Sequence, residues 1–332
     1  MTQTGTLLLS RADVASLLGL RDYIDAVEEA FAAHARGETL APGLLHADAP
    51  EGEFHIKTGG LARSRAYFCL KANAGFYQNR ARFGIPNIQG MIVLYDAGNG
   101  YPLALMDSIE ITVNRTGAAT AVAARRLARP ESRVATICGC GTQGRIQLRA
   151  LREVLPIEEV FAYDRDESAA ASFAEEMTEA LGIAVMPVAC AAEGTSRSDV
   201  VVTCTTSRIP FLAAEDVRPG TFVAAMGADS PNKAELEPAL LASSTVVVDI
   251  LEQCRRVGEL HHALAAGLMT VDRVHAELGD VVVGARPGRT SEDEIIVFDA
   301  TGTGLQDAAS GAAVYERALE VGRGTYFDFF AG

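Results

Sequence analysis

Three charged residues stand in apolar company, and they are the first candidates for chemistry. Lys71 interrupts the strand-like run YFCLKANAGF, Arg115 sits among small residues in TVNRTGAAT, and Asp229 follows the apolar run TFVAAMG. A charge placed in an apolar element must be paired or must meet a ligand. Two readings stand side by side. Lys71 or Arg115 forms a buried ion pair with Asp229, or the cations hold an anionic ligand and Asp229 handles a proton. Asp229 falls at a strand's C-terminal end, the edge at which open α/β sheets bind ligands.

A second group of residues points to a nucleotide. In RVATICGCGTQGR, Arg133 to Arg145, a short apolar run meets Gly139, Gly141 and Gly144. Ile146, Leu148, Leu151, Val154 and Leu155 then follow at helical spacing. That order is strand, glycine turn, helix. Gly139 permits the tight turn, Gly141 lets a pyrophosphate approach the backbone, and Gly144 lets the helix pack closely. The free N–H groups and positive end of the helix then face the phosphates. A second strand, Glu159 to Tyr163, ends at Asp164, where an acid accepts hydrogen bonds from the adenosine ribose. This acid favours NAD, because a 2′-phosphate would meet a like charge. Arg165 beside it is the residue that would tolerate NADP.

These residues need elements to hold them. Ser10 with Asp13 predicts a capped helix stopped by Gly19, and Asp22 to Gly37 a second helix. From Pro42 to Asp107, runs such as EFHIKT, YFCLKANAGF and GMIVLYD read as an antiparallel sheet. Ile111 to Ala128 reads as a long helix leading to the glycine turn. Past Asp164, strands and helices alternate, with apolar strands at 184–188, 200–204, 221–225 and 246–249. Such strands suit a parallel sheet covered on both faces. A last helix runs through Tyr315 and Leu319.

The whole chain sets limits. Its 332 residues, 48% of them hydrophobic, are enough for two cores. A net charge of −14 argues against nucleic acid as a partner. No apolar run reaches membrane-spanning length, and the start of the chain does not read as a signal peptide. The six cysteines are scattered and lack metal-type spacing, which fits a reducing, cytoplasmic compartment. His261 and His262 read as surface residues, and no metal is expected.

The run GIPNIQGMIVLYDAGNGYPLALMDSIEITVNRTGAATAVAARRLARP, then CGCGTQG, GADSPNKAEL and FDATGTGLQDAA, resembles the ornithine cyclodeaminase/μ-crystallin family along nearly the whole chain. The resemblance implies an α/β fold: a Rossmann doubly wound parallel sheet at 116–307, plus an α+β substrate and dimerisation domain at 1–115 and 308–332. It implies that Lys71 and Arg115 clamp a substrate carboxylate and that Asp229 is the acid/base. Cofactor contacts would fall on Asn87, Arg115, Thr116, Thr142, Gln143, Asp164, Thr203 and Lys233. Thr205, Met226 and Gly227 would join them, with the Thr301–Gly302 turn serving both cofactor and substrate. A homodimer is implied as well.

Two departures bear on the substrate. Gly43 and Leu44 stand where family members often carry an arginine. His55 and Lys57 stand where cyclodeaminases carry a glutamate and a methionine. The glutamate would serve a cationic ornithine side chain, which Lys57 would repel; a carboxylate would be welcome there instead. The alternative for both residues is a solvated strand face. The expected activity is NAD(H)-dependent reduction of a small imino acid to an L-amino acid, of the iminosuccinate or alanine dehydrogenase type. The rivals are a cyclodeaminase with catalytic NAD and a non-catalytic ligand-binding protein.

Overall fold

The structure is a computed structural model that describes residues 5–62 and 65–331. The chain forms two compact units, Met1–Arg115 with Thr303–Gly332, and Thr116–Gly302.

The first unit is built on a seven-stranded sheet. Its strands are β1 (Thr6–Leu9), β2 (Thr39–Ala49), β3 (Gly52–Ala62), β4 (Ala66–Gly75), β5 (Ile88–Asp96) and β6 (Pro102–Asp107). The C-terminal strand, Thr325–Phe327, adds at one edge beside β1. β2 to β6 form an antiparallel meander, while β1 lies parallel to β6. The sequence reading missed β1, because four residues of TLLL carry too short a pattern to declare a strand. Ser10 and Asp13 do form a capping box, but that helix ends at Ala15. Gly19, read as its stop, is instead the N-cap residue of the next helix, Leu20–Ala35, and the Asp22 carboxylate accepts from the Gly19 N–H at 2.7 Å.

The last helix, Gly304–Val321, packs on this sheet against β3 and β4. Two glycines set how closely. A Cβ on Gly304 would lie 2.1 Å from the Thr58 carbonyl oxygen, and one on Gly59 would lie 2.7 Å from the Gly304 carbonyl carbon. Only hydrogen at both positions permits this backbone contact. Thr303 caps the helix by accepting from the Gln306 N–H. One residue later the helix presents Asp307 to β4.

The second unit is an eight-stranded parallel sheet. Its strands are β7 (Val134–Cys138), β8 (Glu159–Tyr163), β9 (Ala184–Pro187), β10 (Val200–Thr203), β11 (Phe222–Ala225), β12 (Thr245–Val248), β13 (Ala276–Glu277) and β14 (Ile296–Asp299). Their spatial order is β13-β12-β14-β11-β10-β7-β8-β9. Every residue of β10 and β11 is buried, which explains their unbroken apolar sequences. Val201, Val223, Val246 and Leu260 belong to one core cluster, each such side chain contributing about 1.5–3 kcal/mol by burial. The order reverses between β7 and β10, the switch point at which doubly wound sheets take their ligands. The helix Ser108–Leu127 carries the chain from the first unit into the second. Among the described residues, no helix is long and apolar enough to cross a membrane.

Candidate active site

The glycine turn sits at that switch point. Gly139 has φ +105°, and a Cβ there would meet the Cys204 carbonyl oxygen at 2.9 Å. A Cβ on Gly144 would lie 2.2 Å from the Gly139 carbonyl oxygen. A Cβ on Gly141 would meet nothing within 4 Å among the described residues, so that side of the turn is open. Gly141 precedes the helix Thr142–Val154 and supplies no side-chain cap to its first N–H groups. Gln143, in the first turn, has a buried Oε1 with no hydrogen-bond partner among the described residues. Asp164 is held by its neighbours, Oδ2 accepting from the Cys140 N–H at 2.8 Å and Oδ1 from the Asp166 N–H at 3.0 Å. Each oxygen keeps acceptor capacity for a ribose hydroxyl. Arg165 is exposed. Open backbone, uncapped helix, orphaned amide and fixed acid together fit a dinucleotide.

The far wall of the switch point is organised by Glu235, a residue the sequence reading did not single out. Its buried carboxylate accepts from Thr203 Oγ1 at 2.7 Å, Thr205 N–H at 2.6 Å, Thr205 Oγ1 at 2.7 Å and Gly227 N–H at 3.0 Å. Burial raises its pKa above the ordinary carboxylate value, against the pull of those same bonds. Met226 donates its N–H to the Thr203 carbonyl at 2.8 Å. Three of the residues expected at the cofactor are thus tied to one acid. Asp249 does the same for the Thr301–Gly302 turn, Oδ2 accepting from their N–H groups at 2.9 and 2.7 Å.

Asp229 lies past the end of β11 and pairs with Lys233, Nζ to Oδ1 2.6 Å. That pair lies within the second unit. The anion beside Lys71 and Arg115 is Asp307. Lys71 Nζ is 2.6 Å from Asp307 Oδ2, and Arg115 Nε is 3.2 Å from Oδ1. Arg115 also donates from an Nη to Gln306 Oε1 at 3.0 Å. Lys57 stands directly opposite Lys71 across β3 and β4 and is buried too; it is not a solvated strand residue. Burial pulls the Lys71 ammonium down, to about 7, although Asp307 pushes it back up. Burial works to raise Asp307, but Lys71 and then Arg115 outweigh it and hold the carboxyl below its usual range. Asp307 is thus the anionic member of the group. The contacts named take one of the three donors of Lys71 and two of the five of Arg115. The rest can serve a second carboxylate.

The remaining expected residues are placed as follows. His55 lies beside Glu53, Nε2 to Oε1 3.3 Å, on the same face of β3 as Lys57. Asn87 accepts from the Arg80 N–H at 2.9 Å and so closes the loop before β5. Thr116 is buried in the helix that links the units. His262, read as a surface residue, is half-buried and donates from Nε2 to the Lys233 carbonyl at 2.7 Å; its neighbour His261 is also half-buried.

A doubly wound sheet with a glycine turn at its switch point and an acid after the second strand defines a dinucleotide-binding protein of the Rossmann type. The chain belongs to the ornithine cyclodeaminase/mu-crystallin family, whose model matches residues 4–322. It is 39% identical to an alanine dehydrogenase of Archaeoglobus fulgidus over 326 residues, 98% of this chain and 99% of that one. Among solved structures it resembles an archaeal alanine dehydrogenase dimer with bound NAD, TM-score 0.93 at 40% identity, covering 98% of this chain and 99% of that one. It also resembles the iminosuccinate reductase of Paracoccus denitrificans in complex with NAD+, TM-score 0.88 at 32% identity, covering 96% and 98%.

Proposed function

We propose that this protein is an NAD(H)-dependent oxidoreductase that reduces a small imino acid to an L-amino acid, with a dicarboxylic imine of the iminosuccinate kind as its preferred substrate. The observation that carries this reading is the buried cluster of Lys57, Lys71 and Arg115 around one carboxylate. Three cations brought together inside a protein of net charge −14 suit a ligand with more than one negative charge. When bound, the cofactor supplies the hydride. Lys71 and Arg115 hold the α-carboxylate, Lys57 meets the distal one, and Asp229 moves the proton at nitrogen. The homodimer is supported by the outer face of the seven-stranded sheet, where Leu45, Phe54 and Met91 are exposed in the single chain. The direct test is a panel of 2-oxo acids with ammonia, plus iminosuccinate, followed at the NADH absorbance. Loss of absorbance in proportion to amino acid formed supports the reading. Turnover of ornithine with no net absorbance change would replace it by cyclisation.

Three measurements probe single residues. Lys57→Met should weaken use of a dicarboxylic imine far more than of a monocarboxylic one. A buried charged hydrogen bond contributes on the order of 1.5–3 kcal/mol, about one to two decades in kcat/KM. Equal losses on both substrates would make Lys57 a general electrostatic residue. Asp164 should set cofactor choice: kcat/KM should favour NADH, and Asp164→Ser should narrow the gap. A strong preference for NADPH would overturn this and promote Arg165 to phosphate ligand. The third concerns pH. Binding of an anion needs Lys71 protonated, and its ammonium titrates at about 7. kcat/KM should fall as pH rises through that value, toward tenfold per unit. Lys71→Arg keeps its charge and should remove this limb; a wild-type profile flat to about pH 9 would count against the role.

A further inference from the structure

The hairpin of β2 and β3 carries a group of donors that the proposed reduction does not use, although His55 among them is expected at the substrate by the family resemblance. His46 and His55 are directly opposite each other across the two strands. Glu53 lies two residues before His55 on the same strand face. Opposed residues hold their Cβ atoms about 5 Å apart, so two imidazoles and a carboxylate can reach one point. They do. One donor atom from each of His46, Glu53 and His55 lies within 4.8 Å of the others. Nε2 of His55 is 3.3 Å from Glu53 Oε1, and Nε2 of His46 is 3.8 Å from Glu53 Oε2. Ligands at the usual 2.0–2.2 Å around a tetrahedral zinc are separated by about 3.4 Å. These distances already approach that value. The rings meet edge to face with centroids 4.7 Å apart, so they converge at their edges instead of stacking.

We propose that His46, Glu53 and His55 form a binding site for a divalent transition-metal ion of the zinc class. The donor set is the argument. Two neutral imidazoles and one carboxylate suit zinc, cobalt or nickel, and suit magnesium or calcium poorly. All three side chains are partly shielded, 31%, 18% and 15% exposed for His46, Glu53 and His55. The carboxylate is oriented from outside: the Tyr77 hydroxyl donates to Glu53 Oε1 at 3.1 Å. Such outer hydrogen bonds fix the direction of a ligand's lone pairs. Asp48 Oδ1, 3.1 Å from His46 Nε2, is available as a fourth oxygen. The ion would lie on the same sheet face as Lys57, two residues beyond His55.

The test does not depend on any enzymatic activity. Tag-free protein is stripped with a chelator, then titrated with Zn(II) by calorimetry and with Co(II) by its visible spectrum. The wild type should bind one equivalent per chain, with ligand-field bands of a low-coordinate Co(II) site. His46→Asn and Glu53→Gln should each bind at least about 10-fold more weakly. Zinc should raise the Tm of the wild type and leave that of His46→Asn unmoved, a readout that also reports whether the variant folds. His261→Asn, in the other histidine pair, should bind like the wild type. Binding unchanged in His46→Asn, or no saturable binding in the wild type, overturns the site.

Discussion

Asp307→Asn should destabilise the first unit by about 3–5 kcal/mol, the usual cost of removing one partner from a buried ion pair. The carboxylate is fully buried and is the anion shared by Lys71 and Arg115. The amide keeps the shape and removes the charge, so two buried cations lose their counterion. In a unit of this size the unfolding midpoint should drop on the order of 10 °C. Calorimetry of wild type and variant measures it, and a drop of less than about 2 °C would show that the cluster does not need its anion. The pH dependence gives a second check. The carboxyl is held below its usual range in the fold, so its stabilisation is present above the unfolded carboxylate pKa and is lost as pH falls through the folded value. The wild type should therefore lose more stability than Asp307→Asn on acidification. Lys71 acts oppositely. Its folded pKa of about 7 lies below the usual lysine value, so the cost of burying its charge fades as pH rises above about 7.

Much of the second unit was legible because its signals are local. Gly139, Gly141, Gly144 and Asp164 lie within one strand-turn-helix-strand stretch, and each has a single physical job that spacing reveals. The antiparallel strands were also readable, since EFHIKT and YFCLKANAGF carry the alternation of a half-buried sheet. What could not be read was which acid closes on which cation. Lys71 and Asp307 are 236 positions apart, and the packing of the last helix on β3 and β4, close at Gly59 and Gly304, brings them together. The signal was nevertheless present: LQDAASGAA is an acid among small residues, the same anomaly that marked Lys71. Asp229 drew attention instead because it follows a strand at the ligand edge. Glu235 was hidden for a different reason. It follows a turn in a polar stretch, NKAELEP, where nothing distinguishes a buried acid from an exposed one. Only its bonds to Thr203, Thr205 and Gly227 show that it shapes the cofactor wall.

Asp229→Asn should lower kcat by roughly 10²-fold or more while leaving cofactor affinity nearly unchanged. Reduction of an imine needs a proton at nitrogen as hydride arrives at carbon, and the donor must be a group that can be recharged from solvent. Asp229 meets the second condition, and under the proposed function it supplies the first. It lies four residues past β11 at the sheet's ligand edge, and its side chain is 37% exposed. Lys233 holds one of its carboxylate oxygens, Nζ to Oδ1 2.6 Å. Asparagine keeps the shape and the hydrogen bond but cannot cycle a proton. A partly exposed pair of this kind contributes about 0–1 kcal/mol to folding, so the variant should remain folded. Loss of turnover can then be assigned to chemistry. NADH binding, followed by its fluorescence, should shift less than about threefold, because the glycine turn and Asp164 are untouched. Near-normal kcat in a folded Asp229→Asn would remove the proton role from this residue. A large loss of NADH affinity with kcat retained at saturation would make Asp229 a cofactor-positioning group that works through Lys233.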